Sequence, residues 1–167
     1  MTEWLPALAT RLARGEACVL VTVAHTVGST PREAGATMLV GAQASLGSIG
    51  GGQLEWLAAS AARALLEVGG PPRLMRLALG PSLGQCCGGI VWLALERVTP
   101  DSAADWQARA DAVAAGQGLQ RQLATNEAAS RWRLVASSFL KVASYSVVIC
   151  SNWIGVAAFR LTKFSYR

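Results

Sequence analysis

This sequence predicts a small α/β or α+β domain: one sheet with flanking helices, followed by an atypical C-terminal tail. Three patterns carry that expectation. Short β-branched apolar runs alternate with stretches of helical periodicity, glycine-rich turns separate them, and 167 residues are enough to enclose one ordinary core. With 52% hydrophobic and 15% charged residues, the chain has ample apolar surface to offset its ordering entropy, which excludes a disordered protein.

Residues 1–14 place Trp4, Leu5, Leu8 and Leu12 on one helical face, with charges between them. Residues 17–24 form a β-branched apolar run (Val19, Val21, Val23) suited to a buried strand. A polar, turn-rich loop over 25–35 follows, and strands are expected over 36–40 and 44–49 around a tight turn. Gly50, Gly51 and Gly52 lead into a helix over 53–68, where Leu54, Leu57, Ala58, Ala61, Leu65 and Val68 recur at helical spacing. Gly69, Gly70, Pro71 and Pro72 end it. Residues 73–79 resume alternation, residues 80–89 form another glycine-rich loop, and residues 90–95 read as an apolar strand. A helix over 101–115 and a strand over 119–124 complete the pattern, which leaves strand order and direction open.

Composition changes sharply near residue 130. Residues 1–130 hold nine Arg, no Lys and ten acidic residues, whereas residues 131–167 hold six basic residues and no acid. The formal charge of +5 therefore belongs to the tail, and the neutral body argues against nucleic acid as a partner. Every Phe, Tyr and Lys also lies beyond Ser130. We accordingly divide the chain into a domain over 1–134 and a basic, apolar tail of different origin over 135–167. Residues 142–159 are apolar enough to raise a membrane helix, which Ser144, Ser146, Ser151 and Asn152 weaken. The amphipathic start is no export signal, and Cys18, Cys86, Cys87 and Cys150 show no repeated spacing; a reducing, cytoplasmic setting is expected.

Three loops could carry chemistry. The first, Gly28-Ser29-Thr30-Pro31-Arg32-Glu33-x-Gly35, offers hydroxyls and a guanidinium suited to phosphate or carboxylate; the plainer reading is a turn with a solvated Arg. The second, Gly47-Ser48-Ile49-Gly50-Gly51-Gly52-Gln53-Leu54-Glu55, offers backbone amides at a helix start. It lacks the Gly-Lys-Ser/Thr of a nucleotide loop, Glu55 replaces the last glycine of a dinucleotide pattern, and that carboxylate opposes a bound phosphate unless it points away. The third, Gly80-Pro81-Ser82-Leu83-Gly84-Gln85-Cys86-Cys87-Gly88-Gly89, carries adjacent thiols that project to different sides. They are unsuited to structural zinc, and are either small buried groups or thiols facing a soft ligand. His25, the sole histidine, is read as a structural or loop-positioning residue.

In this order the three loops resemble the XdhC/CoxI family of xanthine dehydrogenase accessory proteins. The resemblance rests on Gly28-Ser29-Thr30-Pro31-Arg32 with Gly35-Ala36-x-Met38, on Gly47 through Gly52 with Glu55, and on Leu79 through Gly89; it covers about residues 5–134. It implies an accessory protein rather than a catalyst, so no catalytic residue is assigned. The implied cargo is the molybdenum cofactor, which the protein protects, helps to sulfurate with a cysteine desulfurase, and inserts into the molybdenum subunit of apo-xanthine dehydrogenase. It further implies a homodimer and a C-terminal Rossmann-like domain, of which nothing after Ser137 carries the pattern.

Joining resemblance to chemistry, we expect cofactor contacts from Ser29, Arg32, Gly50, Gly51, Gly52, Glu55, Gln85, Cys86 and Cys87. Arg32 and the Gly50–Gly52 amides would suit the phosphate. Gln85, Cys86 and Cys87 would suit the metal and sulfur end, with Cys86 or Cys87 near molybdenum but no metal ligand assigned. The competing readings are a thiol-dependent sulfur or redox transferase using Cys86 or Cys87, and a non-functional truncated product.

Overall fold

The computed structural model describes residues 3–80, 88–124, 130–135 and 147–151. Helix α1, Trp4–Ala13, forms where the apolar stripe lies, and Trp4, Leu5, Leu8, Ala9 and Leu12 are all buried along it. Strand β1, Cys18–Val27, runs three residues further than its apolar run, taking His25, Thr26 and Val27 into the sheet. Pairing explains the extension: β5, Ile90–Val98, matches it from Cys18↔Val98 to Val27↔Ile90. The ladder bonds override the polar composition of 25–27. A one-residue bulge between Val23 and His25 shifts this register.

Strand β2, Thr37–Val40, and β3, Ser45–Gly47, form the expected hairpin, and α2, Gly52–Val68, follows the triple glycine. Strand β4, Arg73–Ala78, completes a five-stranded sheet ordered β3-β2-β1-β5-β4, antiparallel throughout. Of the two fold alternatives this is the α+β arrangement, with flanking helices as expected. A 3-10 turn, Pro100–Ser102, precedes α3, Ala103–Ala114. Proline at the turn's start suits a position where its missing N–H costs nothing.

The alternation along β1 sorts two cores. Val19, Val21 and Val23, with Met38, Val40, Val91, Leu93 and Leu95, face Leu54, Ala58, Ala62 and Leu65 of α2. Cys18 and Leu20, with Leu39 and Val98, face α1 and α3. There Trp4 and Trp106 meet edge to face at 6.3 Å, and Arg109 lies over the Trp106 ring. Each fully buried leucine contributes about 1.5–3 kcal/mol of transfer free energy.

A second sheet, beyond the expected one, has the order β7-β6-β8. Strand β6, Gly118–Ala124, pairs antiparallel with β7, Ser130–Val135, and parallel with β8, Val147–Ser151. Thus β7 ends one residue past the expected domain boundary at 134, and β8 lies inside the tail. Val147, Val148 and Ile149 explain why this part of 142–159 is strand: β-branched side chains suit a pleated ladder better than a helix. Among the described residues no helix is long and apolar enough to cross a membrane. Leu119 of β6 enters the α1–α3 core, and Arg121 donates to Thr22 Oγ1 of β1 and, at 2.6 Å, to Glu96 of β5.

Candidate functional site

The loop after β1 turns back sharply. Gly35 N–H donates to the Val23 carbonyl at 2.8 Å and Val23 N–H to the Ala36 carbonyl at 2.9 Å, so the segment 24–34 is closed at its base, with its first arm still paired to β5 as far as Val27 and residues 28–34 forming the loop. Thr30 Oγ1 donates to the Arg32 carbonyl at 3.1 Å, a local side-chain bond that stiffens the turn beside Pro31. Ser29 and Arg32 are exposed at its tip.

Pro31 abuts the second loop. A Cβ added to Gly50 would lie 2.5 Å from Pro31 Cγ, and Gly50 has φ +132°, so glycine is required there by contact and by backbone. On its other flank the first loop abuts the end of the third. A Cβ on Gly89 would strike the Ser29 carbonyl oxygen and sit 2.6 Å from that of Val27. Leu79 N–H donates to the Gly89 carbonyl at 2.7 Å, closing the base of the third loop. The first loop thus touches both glycine-rich neighbours at one end of the sheet. Gln85, Cys86 and Cys87 lie outside the described residues.

Glu55 points into the second loop, not away from it. Its Oε2 accepts from Ser48 Oγ at 2.7 Å, Gly51 N–H at 3.0 Å and Ile49 N–H at 3.2 Å, while Ser48 Oγ accepts from Gly50 N–H at 3.2 Å. Reaching back to the N-cap residue Gly51 is what the acidic member of a capping box does. The Gly50 and Gly51 amides expected to meet a phosphate therefore already donate within the loop, and the anion at this helix start is the protein's own. Glu55→Ala should cost about 1–2 kcal/mol in thermal unfolding, with Glu55→Gln restoring part of it, because two loop amides lose a charged acceptor. Equal melting temperatures for wild type and Glu55→Ala would show that the carboxylate does not hold this loop.

Cys18, by contrast, lies in the α1 core, far along β1 from the loops; burial pushes its thiol pKa up, opposed by the Arg11 guanidinium. It has the character of an inert packing group. Among the described residues no three His, Cys, Asp or Glu gather as a metal site. The sequence reading gave no role to Trp92 or Arg76, yet both lie in register with His25. Trp92 pairs with His25 on one side and Arg76 on the other. Nothing short of strand register could have joined them.

Residues 11–78 match the model of the XdhC and CoxI family, a span that takes in the first two loops and ends with β4. No curated protein matches the chain. A crystal structure described as a xanthine dehydrogenase from Bacillus halodurans is similar at 26% identity with a TM-score of 0.59, covering 67% of this chain and 35% of that one. The chain therefore spans about a third of the length of that neighbour.

Proposed function

We propose that this protein is an accessory factor in the maturation of xanthine dehydrogenase-type enzymes, with the molybdenum cofactor as its cargo, a reading supported by the match of residues 11–78 to the model of the XdhC and CoxI family. In this reading residues 1–134 form the working domain, hold the cofactor, shield it from oxidation, support its sulfuration by a cysteine desulfurase and deliver it to the molybdenum subunit of the apoenzyme. The setting is cytoplasmic, the active form a homodimer, and the chemistry on the cargo belongs to its partners.

One observation carries the reading: the first loop is wedged between the other two, with Pro31 against Gly50 and Gly28 and Ser29 against Gly89. A cargo with a phosphate at one end and a metal–sulfur group at the other needs chemically different loops side by side. Arg32 and Ser29 are exposed where a phosphate could meet them, and the guanidinium would bind it with two parallel hydrogen bonds. Since the Gly50 and Gly51 amides already serve Ser48 and Glu55, the second loop acts chiefly as a preformed wall, with Gly52 at the helix start adding its dipole. Gln85, Cys86 and Cys87 are assigned to the metal and sulfur end on residue chemistry alone.

The test is anaerobic mixing of the purified protein with molybdenum cofactor, ultrafiltration, and assay of retained molybdenum and of pterin fluorescence after oxidation. Stoichiometric retention, reduced at least tenfold by Arg32→Ala, is the expected result. Retention no better than albumin's would reject the function. Unchanged retention and sulfuration in the Cys86→Ala, Cys87→Ala double variant would remove the thiols from the site.

A further inference from the structure

We infer that Thr22 and Thr37 are positioning residues for the first loop: with Arg121 they form a hydrogen-bond relay that couples docking of the second sheet to the segment carrying Ser29 and Arg32. The inference rests on the cofactor reading above for its ligand and adds to it the part of the protein that sets the loop.

Thr22 interrupts the apolar first part of β1, and it is fully buried. A buried hydroxyl is costly unless paired, and valine would fill the same volume without that cost. Its partners account for it. Thr22 and Thr37 face each other across the β1–β2 ladder, with their Oγ1 atoms 3.1 Å apart. Arg121 of β6 donates to Thr22 Oγ1, and Thr37 Oγ1 donates to the Gly35 carbonyl at 3.0 Å. Each hydroxyl carries a single hydrogen, a carbonyl only accepts and a guanidinium only donates. The Thr37 proton is therefore committed to Gly35, and the Thr22 proton to Thr37. All donors point one way, from the guanidinium through two hydroxyls to the backbone at the end of the first loop. Aligned bonds of this kind polarise one another in a dry interior, and Glu96 holds the charge at their head in place at 2.6 Å.

The relay ends where the loop is freest to swing. Gly35 closes the returning arm, with its N–H on the Val23 carbonyl at 2.8 Å and a φ of +98°, a backbone state that glycine adopts without strain. Its own dihedral preferences are weak, so the bond from Thr37 fixes the plane of the peptide that follows. Pro31 against Gly50 and Ser29 against Gly89 hold the rest of the loop, and Arg32 lies between those contacts and the Gly35 hinge. Arg121 belongs to β6, the central strand of the second sheet. Docking of that sheet thus supplies the first donor of the relay, and its departure would take the cation away from Thr22.

The experiment follows backbone amide exchange by nuclear magnetic resonance on the full chain, for wild type, Thr22→Val, Thr22→Ser, Thr37→Val and Thr37→Ser, beside anaerobic retention of molybdenum cofactor. Val21, buried in β1 and paired on both sides, is the internal reference for global opening. Loss of one relay bond should speed Gly35 exchange about tenfold relative to Val21 in both valine variants. Thr22 lies outside the loop, so its effect on Gly35 has to pass through Thr37. The serine variants, which keep the hydroxyl, should behave as wild type, and the valine variants should retain several-fold less cofactor. Gly35 exchange unaffected by Thr22→Val, or accelerated by the same factor as Val21, overturns the relay. Cofactor retained equally by wild type and both valine variants, despite faster Gly35 exchange, overturns the positioning of the binding loop and leaves the cargo reading standing. Gly35 responding as expected in a chain that retains no cofactor supports the relay and removes the cargo reading.

Discussion

Gly89→Ala is expected to lower the melting temperature by on the order of 5–10 °C and to bring cofactor retention down to the albumin background. The added methyl would meet two backbone carbonyl oxygens, those of Ser29 and Val27, neither of which can swing aside as a flexible side chain would. Relief requires β1 and β5 to separate where Val27 pairs with Ile90. Overpacking of this kind costs about 1–3 kcal/mol, which for a domain of this size gives the stated fall in melting temperature. The neighbouring Gly88→Ala is the control: it is exposed, and a Cβ there would meet nothing within 4 Å. Should both variants melt and bind as wild type does, the contact between the loops would not be what builds the site.

Arg121→Met should be more damaging still to stability, and for a different reason. Arg121 is 1% exposed and its partner Glu96 16%, so the ion pair joining the second sheet to the first is almost dry. Removing one member leaves an uncompensated carboxylate and costs about 3–5 kcal/mol, with the slight exposure of Glu96 favouring the lower end. Replacing both, as Arg121→Met with Glu96→Leu, should recover most of the loss, since a packed apolar pair avoids the desolvation of two ions. Urea unfolding of the two single variants and the double gives the coupling energy directly. A double variant as unstable as the sum of the singles would show that Arg121 acts through packing and through Thr22 rather than through its charge partner.

Helix positions and core strands were readable in the sequence because their signals are periodic and local. Trp4, Leu5, Leu8 and Leu12 mark α1, and Val19, Val21 and Val23 mark the face of β1 that meets α2. The end of β1 was not readable, since His25 and Thr26 have loop-like polarity and only their pairing with Trp92 and Val91 makes them strand. Strand β8 was hidden for a similar reason: its five residues sit in an apolar stretch whose length suggested a helix, and its partner is β6, more than twenty residues earlier.

The site was legible in part. Glycines marked the loops, and the requirement for glycine at Gly50 and Gly89 proves to be close approach between loops. The direction of Glu55 could not be inferred, because a carboxylate in a first helical turn can equally face solvent; Ser48, Ile49 and Gly51 decide it by offering three donors. The alignment of His25 with Trp92 and Arg76 depends on a single-residue bulge, a feature that no composition or period reveals.

The parallel pairing of β8 with β6 has a consequence for any shortened form of the chain. A version ending after β7 would strip one flank of β6, leaving the N–H and C=O groups that now meet residues 147–151 open to whatever extended segment arrives first. Strand capture between molecules would then compete with folding, so a tail of unusual composition can still serve as a sheath for the domain that precedes it.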